Sequence, residues 1–508
     1  MSDGRRSAGR WSTQLGSRRG MPADRIARSA GAPEMRPDPS GGIPQALTGH
    51  GSAKPSRWLP RSLVAVLLLS GWLSGALLVA GPAGATTTTL YVGPGGGTGN
   101  CSTPAYSTIQ SAVNAAVAGD TIDVCAGTFH EQVKVTTQDL TVTGPASGTP
   151  AIIEPSTVSC NTEDLQTHVP TAAVVLVSVV SGVTVEHLTV NGASGGATTF
   201  TGCTSSPQNF WGIVYQNASG TISNDTVENL TPSPSFSGGN NNDDAIFVQS
   251  STGTSTLTIS ANTAAGYQKN GITCNGAGTT CSITGNTVTG AGPISTEAQN
   301  GIQVGFGATG SAKDNTVSNN DAANFAGTGT ASGVLVTTVS NTSVIHNTLT
   351  NNQDAVVLAG YGTKPTATMT GDTVSTNTIH YTSSYTSTSS NAASDTEGVE
   401  IASVETGPTV PSITAVIRDN TVDGPGAFSL TPATVSVHAP VGMEVGYFAT
   451  TAETGPLPQK GSLTISATGN TVENWAADVM DLGTTSGTDS TTLTGNNLLS
   501  APFGVDNL

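Results

Sequence analysis

The chain of 508 residues carries 34 acidic and 17 basic side chains, a net charge of −17, with 62 glycines and only 10% charged residues. Eleven of the 17 cations but only four of the acids precede Ser62, so six cations face 30 acids in the rest, a net charge of −24. Phosphate backbones are held by clustered Lys and Arg, so nucleic acid is excluded as a partner, and an anionic polymer would need a bridging divalent cation such as calcium.

Residues 1–61 are rich in Arg, Pro, Gly and Ser without apolar periodicity, which predicts a disordered basic leader. An uncharged run, Ser62 to Ala80, follows Arg57 and Arg61 and leads into small residues at Ala83 and Ala85. This is the pattern of a secretory signal over 62–85, cleaved before Thr86. The alternative is an anchor retained in the membrane through residues 62–80, since such a run is just long enough to span a bilayer. Met21 and Met35 offer later starts. Residues 86–508 then form one exported domain, read as a monomer.

That domain opens with a strand at Leu90 to Val92 and a helix from Ser107 to Ala118. Ser107 and Gln110 suggest a capping box, and Ile109, Ala112, Val113 and Ala116 form its apolar stripe. Its expected role is to cover the exposed end of a repeat stack. Short strands follow at Thr121 to Val124, Gln132 to Val135, Leu140 to Val142 and Ala151 to Ile153.

From there the chain repeats itself. Gly212, Ala245, Gly271, Gly301, Gly333, Ala355, Gly398 and Gly442 each open an apolar–x–apolar triplet, at spacings of 33, 26, 30, 32, 22, 43 and 44 residues. Between these anchors lies a second strand of the type Ser282-Ile-Thr-Gly285. It is followed by a polar residue and then, usually, Thr plus an apolar residue, at Asp225, Asn262, Asn286, Asn315, Asn347, Asp372, Asn420, Asn470 and Asn496. Periods of 20 to 50 residues mean a solenoid, propeller or array. Strands of three to five residues with apolar alternation, and no helical spacing, select a parallel β-helix of roughly a dozen coils. The fixed Asn suits a left-handed bend and an inter-coil hydrogen-bond ladder.

The Asn-Thr-Val and Gly-Ile-x-Val alternation over about residues 90–508 resembles the right-handed β-helix repeats of the pectin-lyase-like superfamily. The resemblance implies an all-β, single-stranded right-handed parallel β-helix and a carbohydrate-related role. The superfamily's members include pectate lyases, polygalacturonases, pectin methylesterases, alginate epimerases and phage tailspikes. Gly127-Thr-Phe-His-Glu131 resembles a Gly-x-Tyr-x-Glu motif of methylesterases and is read as shaping the first corner rather than using His130 or Glu131 in catalysis. Polygalacturonase motifs are incomplete. Asp243-Asp244 is present, without a Gly-His-Gly, and Asn351-Asn-Gln-Asp354 shares its layout, so Asp244 could equally open a strand with an Asx turn. The arginine patterns of one pectate lyase family and the Asp-Pro-His-Glu of alginate epimerases are missing, and Lys269 is the best-placed base.

Glu400 and Glu444 share one outward position in Gly-Val-Glu-Ile and Gly-Met-Glu-Val, which on adjacent coils places their backbones about 4.8 Å apart, with the side chains solvent-facing and suited to acid–base work or calcium. The candidate catalytic set is therefore Glu400, Glu444, Asp243, Asp244 and Lys269. Six cysteines in the exported part predict disulfides. Cys274 pairs with Cys281 across one turn, and Cys101 with Cys125 and Cys160 with Cys203 by proximity; a zinc site finds no Cys-x-x-Cys. Loops at 157–172, 231–242, 381–396, 424–440 and 450–460 are expected to build a lateral groove. The functional reading is a secreted polysaccharide-binding solenoid. Its alternatives are a calcium-dependent polysaccharide lyase, hydrolase or epimerase, and a structural or adhesive solenoid.

Overall fold

The structure, a computed structural model, describes residues 87–93, 99–192, 199–201, 209–230, 243–322, 331–361, 368–382, 396–405, 411–426, 440–449, 462–475, 477–481, 488–499 and 503–507. The expected leader and signal, and the loops at 231–242 and 450–460, lie outside these residues.

Three parallel sheets of 13, 12 and 13 strands hold almost all of the strands. One coil places Thr279–Thr284 in the first sheet, Thr287–Ile294 in the second and Asn300–Gly305 in the third. The next coil begins with Thr309–Lys313, which lies parallel beside Thr279–Thr284. Parallel strands joined this way take a right-handed crossover. The chain is a single-stranded right-handed parallel β-helix.

The anchors read from the sequence fall on one ladder of the third sheet. Ile213, Ile246, Ile272, Ile302, Val334, Val356, Val399 and Met443, each just after an anchor, are partners in consecutive coils. Glycine at the anchor reflects close approach. A Cβ on Gly271 would stand 2.3 Å from Val288 Cγ1 and 2.6 Å from the Gly301 carbonyl oxygen. The coil whose anchor is Ala245 carries Ala264 where its neighbours carry Val227 and Val288, which frees the needed space.

Inside, like stacks on like. Ile222, Ile259, Ile283, Ala312, Val344 and Val374 form one fully buried column of the first sheet. Each of its larger members stabilises the fold by about 1.5–3 kcal/mol. The corner after this sheet holds the asparagine ladder. Asn262, Asn286, Asn315, Asn347, Asn377, Asn420 and Asn470 each donate Nδ2 to the Oδ1 of the next asparagine at 2.9–3.0 Å. Two details differ from the sequence reading. The left-handed residue is the one before the ladder asparagine, for instance Ala261 (φ 57), Asp314 (φ 56) and His346 (φ 57), because the asparagine's own side chain must turn inward to reach its neighbour. Asp372 does not hold a rung. Asn377 does, while Asp372 sits at a register irregularity and accepts from Thr342 N at 2.8 Å.

Among the described residues the single α-helix is Ile109–Ala115, shorter than expected and capped by Thr108 rather than Ser107. Its free N–H groups at Ile109 and Gln110 donate to the Glu131 carboxylate at 2.7 and 2.9 Å, so Glu131 supplies the cap that Gln110 was expected to complete. Ile109, Ala112 and Val113 enter the core. Disulfides join Cys101 to Cys125 and Cys274 to Cys281. Cys160 is also disulfide-bonded, and Cys203 lies outside the described residues.

The third sheet differs from the first in being buried on both faces. Ser255–Ser260 alternates between buried and exposed, whereas Asp244–Gln249, Asn270–Asn275 and Asn300–Gly305 are buried throughout. Segments between coils fold back over this outer face. Thr162–Glu163 pairs antiparallel with the sheet, Leu165 N donates to Gln249 Oε1 at 2.8 Å, and Ser403 donates to the Pro411 carbonyl at 2.7 Å. Glu400 and Glu444 are not solvent-facing: they are register partners on adjacent coils, as expected, but only 2% and 1% exposed.

Candidate functional site

The outer face of the third sheet carries a polar row one residue ahead of the anchors: Asp244, Asn270, Asn300, Ser332, Asp354 and Glu397, each the register partner of the next. At one end of this row the turns leading into three successive strands bring Asp243, Lys269 and Glu297 beside Asp244. All four side chains are buried.

Asp244 is held on both oxygens. Oδ1 accepts from Asn270 N at 3.0 Å, and Oδ2 accepts from Asn270 Nδ2 at 3.1 Å and Thr273 Oγ1 at 2.7 Å. Burial nevertheless pushes its carboxyl up to about 7, because these bonds and the Lys269 charge only partly offset the lost hydration. Asp243 Oδ1 accepts from Phe210 N at 2.8 Å, while its Oδ2 is buried with no hydrogen-bond partner. Burial, and then the charges of Asp244 and Glu297, raise its carboxyl well above the usual range. Lys269 donates Nζ to the Ala298 carbonyl at 2.8 Å; burial lowers its ammonium, opposed by Glu297 and Asp244. Glu297 is raised by burial and partly restored by Lys269. At neutral pH the adjoining Asp243 and Asp244 can therefore hold and pass a proton, with a weakened lysine beside them.

The opposite end of the row is all acid. One carboxylate oxygen each from Asp354, Glu397 and Glu400 lies within 4.8 Å of the others, and Glu444 follows Glu400 on the next coil.

The structure thus sorts the predicted residues into two groups, Asp243, Asp244 and Lys269 in one and Glu400 and Glu444 in the other. It adds Glu297, Asp354 and Glu397. A signal for Asp354 and Glu397 was present, since both precede an anchor as Asp244 precedes Ala245. Glu297 sits three residues ahead of Asn300 and had only its place in an equivalent turn to mark it. His130 donates from Nδ1 to the Glu154 carbonyl at 2.8 Å, and Glu131 caps the helix, so both serve the first corner.

The connected ladders and three parallel sheets decide the fold. It is a parallel β-helix. Solved structures of similar fold include a GH136 lacto-N-biosidase from Eubacterium ramulus, at 13% identity and a TM-score of 0.43, covering 77% of this chain and 67% of that one. They also include a GH87 alpha-1,3-glucanase from Streptomyces thermodiastaticus, at 14% identity and 0.42, covering 81% and 69%. An alginate lyase from Paenibacillus sp. shares 13% identity at 0.34, covering 80% and 99%. At these identities the likeness is one of fold. No family model matches the sequence, and no curated protein matches it. No helix among the described residues is long and apolar enough to cross a membrane.

Proposed function

We propose that this chain is a polysaccharide-active enzyme that cleaves glycosidic bonds by acid–base chemistry at Asp243, Asp244, Lys269 and Glu297. The observation that carries the reading is the meeting of these four buried ionisable side chains from three successive coils, with Asp244 held at about 7. Ionisable groups are costly to bury, and a solenoid that needed only packing would place apolar residues there. One lysine, itself weakened by burial, offers little to hold a polyanion, which favours hydrolysis of a neutral glycan over lysis or epimerisation of a uronate. Asp244 would donate a proton to the departing oxygen as the glycosidic bond breaks, while Asp243 takes a proton from the water whose oxygen bonds to the anomeric carbon; passing that proton from Asp243 to Asp244 restores the starting state. The disulfides support an extracellular setting, consistent with the signal read at 62–85.

The test is release of reducing ends from a panel of neutral and uronate polysaccharides. Neutral substrate should be turned over, with Asp244→Asn lowering the rate at least about 100-fold. Activity should fall as pH rises through about 7, because the acid form of Asp244 is lost.

Full burial of all four groups favours one other reading: a non-catalytic solenoid that binds glycan along an exposed side, with the polar row serving to tie coils together. Glycan binding without product would establish it over the first.

A further inference from the structure

We propose that Asp354, Glu397 and Glu400 form a binding site for a divalent cation of the calcium class, with Ser332 supplying a further oxygen. Calcium takes oxygen ligands at about 2.4 Å, so two ligands on opposite sides of one ion are separated by about 4.8 Å. The three carboxylate oxygens lie within that limit of one another. The side chains are 1%, 4% and 2% exposed, so water contributes little to dispersing their charge. Glu444, 1% exposed, adds a fourth carboxyl on the next coil. Carboxylates this close and this buried oppose one another when ionised, and a dication in their midst reverses the sign of that interaction.

A second observation points into the same row. Ser332 Oγ is fully buried and has no hydrogen-bond partner. Its residue is the register partner of Asp354, so its hydroxyl enters the row from the adjoining rung. Buried hydroxyls are normally bonded, and a neutral oxygen beside carboxylates is a usual member of a calcium shell. The ligands come from the strands Ser332–Thr337, Asp354–Tyr361 and Glu397–Glu405, so a bound ion would fasten three successive coils together. The site is independent of the glycan reading.

The experiment is calorimetric titration of the whole chelator-treated protein with calcium, paired with thermal unfolding in calcium and in chelator. One saturable site is expected, with a higher unfolding midpoint in calcium. Glu400→Gln and Asp354→Asn should each weaken binding by about tenfold or more, while Asp419→Asn, an exposed acid elsewhere, should leave it unchanged. Should either cluster variant unfold, the other and the parent titration still decide. No saturable heat and no midpoint shift at about 10 mM calcium, above the range of weak extracellular sites, would overturn the proposal. So would binding that survives both cluster substitutions.

Discussion

Asp372 shows how one displaced carboxyl governs the pH response. It lies off the asparagine ladder with no accessible surface, and its single bond from Thr342 N does not compensate for burial, which raises its carboxyl to about 7. Its folded pKa therefore exceeds the unfolded 3.8. The folded state binds the proton more tightly, so the associated stability is complete below the unfolded value and is lost as pH rises through about 7. Asp244 acts in the same direction at about 7, and Asp225 and Asp243 are raised as well. The thermal midpoint should fall between about pH 5 and about pH 8. Asp372→Asn retains an acceptor for Thr342 while removing the charge, and should flatten part of that fall. Identical slopes for parent and variant would show that Asp372 is ionised at little expense in the fold.

The asparagine ladder is the element that sets coil register, and Asn347 sits in its middle. Its Oδ1 accepts from both Asn315 N and Asn315 Nδ2, and its Nδ2 donates to Ala312 O and Asn377 Oδ1, all at 2.9–3.0 Å. Asn347→Ala strips partners from two neighbouring coils at a buried position, so denaturant unfolding should show a loss of about 2–4 kcal/mol. A change within about 0.5 kcal/mol, as at an ordinary surface site, would mean that the ladder is redundant with the sheets. Most of this element was legible in the sequence, because Asn-Thr plus an apolar residue recurs wherever a corner does. The rung at Asn377 was misread as Asp372 because the intervening strand, Thr368–Ser375, is eight residues long and contains an irregularity that shifts the count. The left-handed residue was assigned one place late for a physical reason. Ala261, Asp314, His346 and Thr376 all occupy that place, so it has no common side chain to reveal it.

For the molecule as a whole, strand periodicity reported the coils but could not report what covers them. The repeat placed Glu400 beside Glu444 correctly, and alternation then assigned them to solvent. That face is nevertheless buried, and contacts made on it by Leu165 and Pro411 come from segments outside the repeat, whose positions no period encodes. The meeting of Asp243, Lys269 and Glu297 was hidden similarly, since it depends on turns of unequal length coming into line. The same architecture makes one further prediction. Strand pairing in the three large sheets runs only between successive coils, so stability should be a sum of coil and neighbour terms rather than a single global quantity. In the middle, Ile259, Ile283 and Val288 are fully buried, whereas Thr488–Thr494 and Asn497–Leu498 lead to Leu499 at 53% exposure. Amide hydrogen exchange followed by mass spectrometry should therefore be fastest in 488–499 and slowest across 255–288, with protection declining coil by coil as denaturant is raised. Simultaneous loss of protection in both regions would show that the coils unfold as one unit, with coupling that extends beyond nearest neighbours.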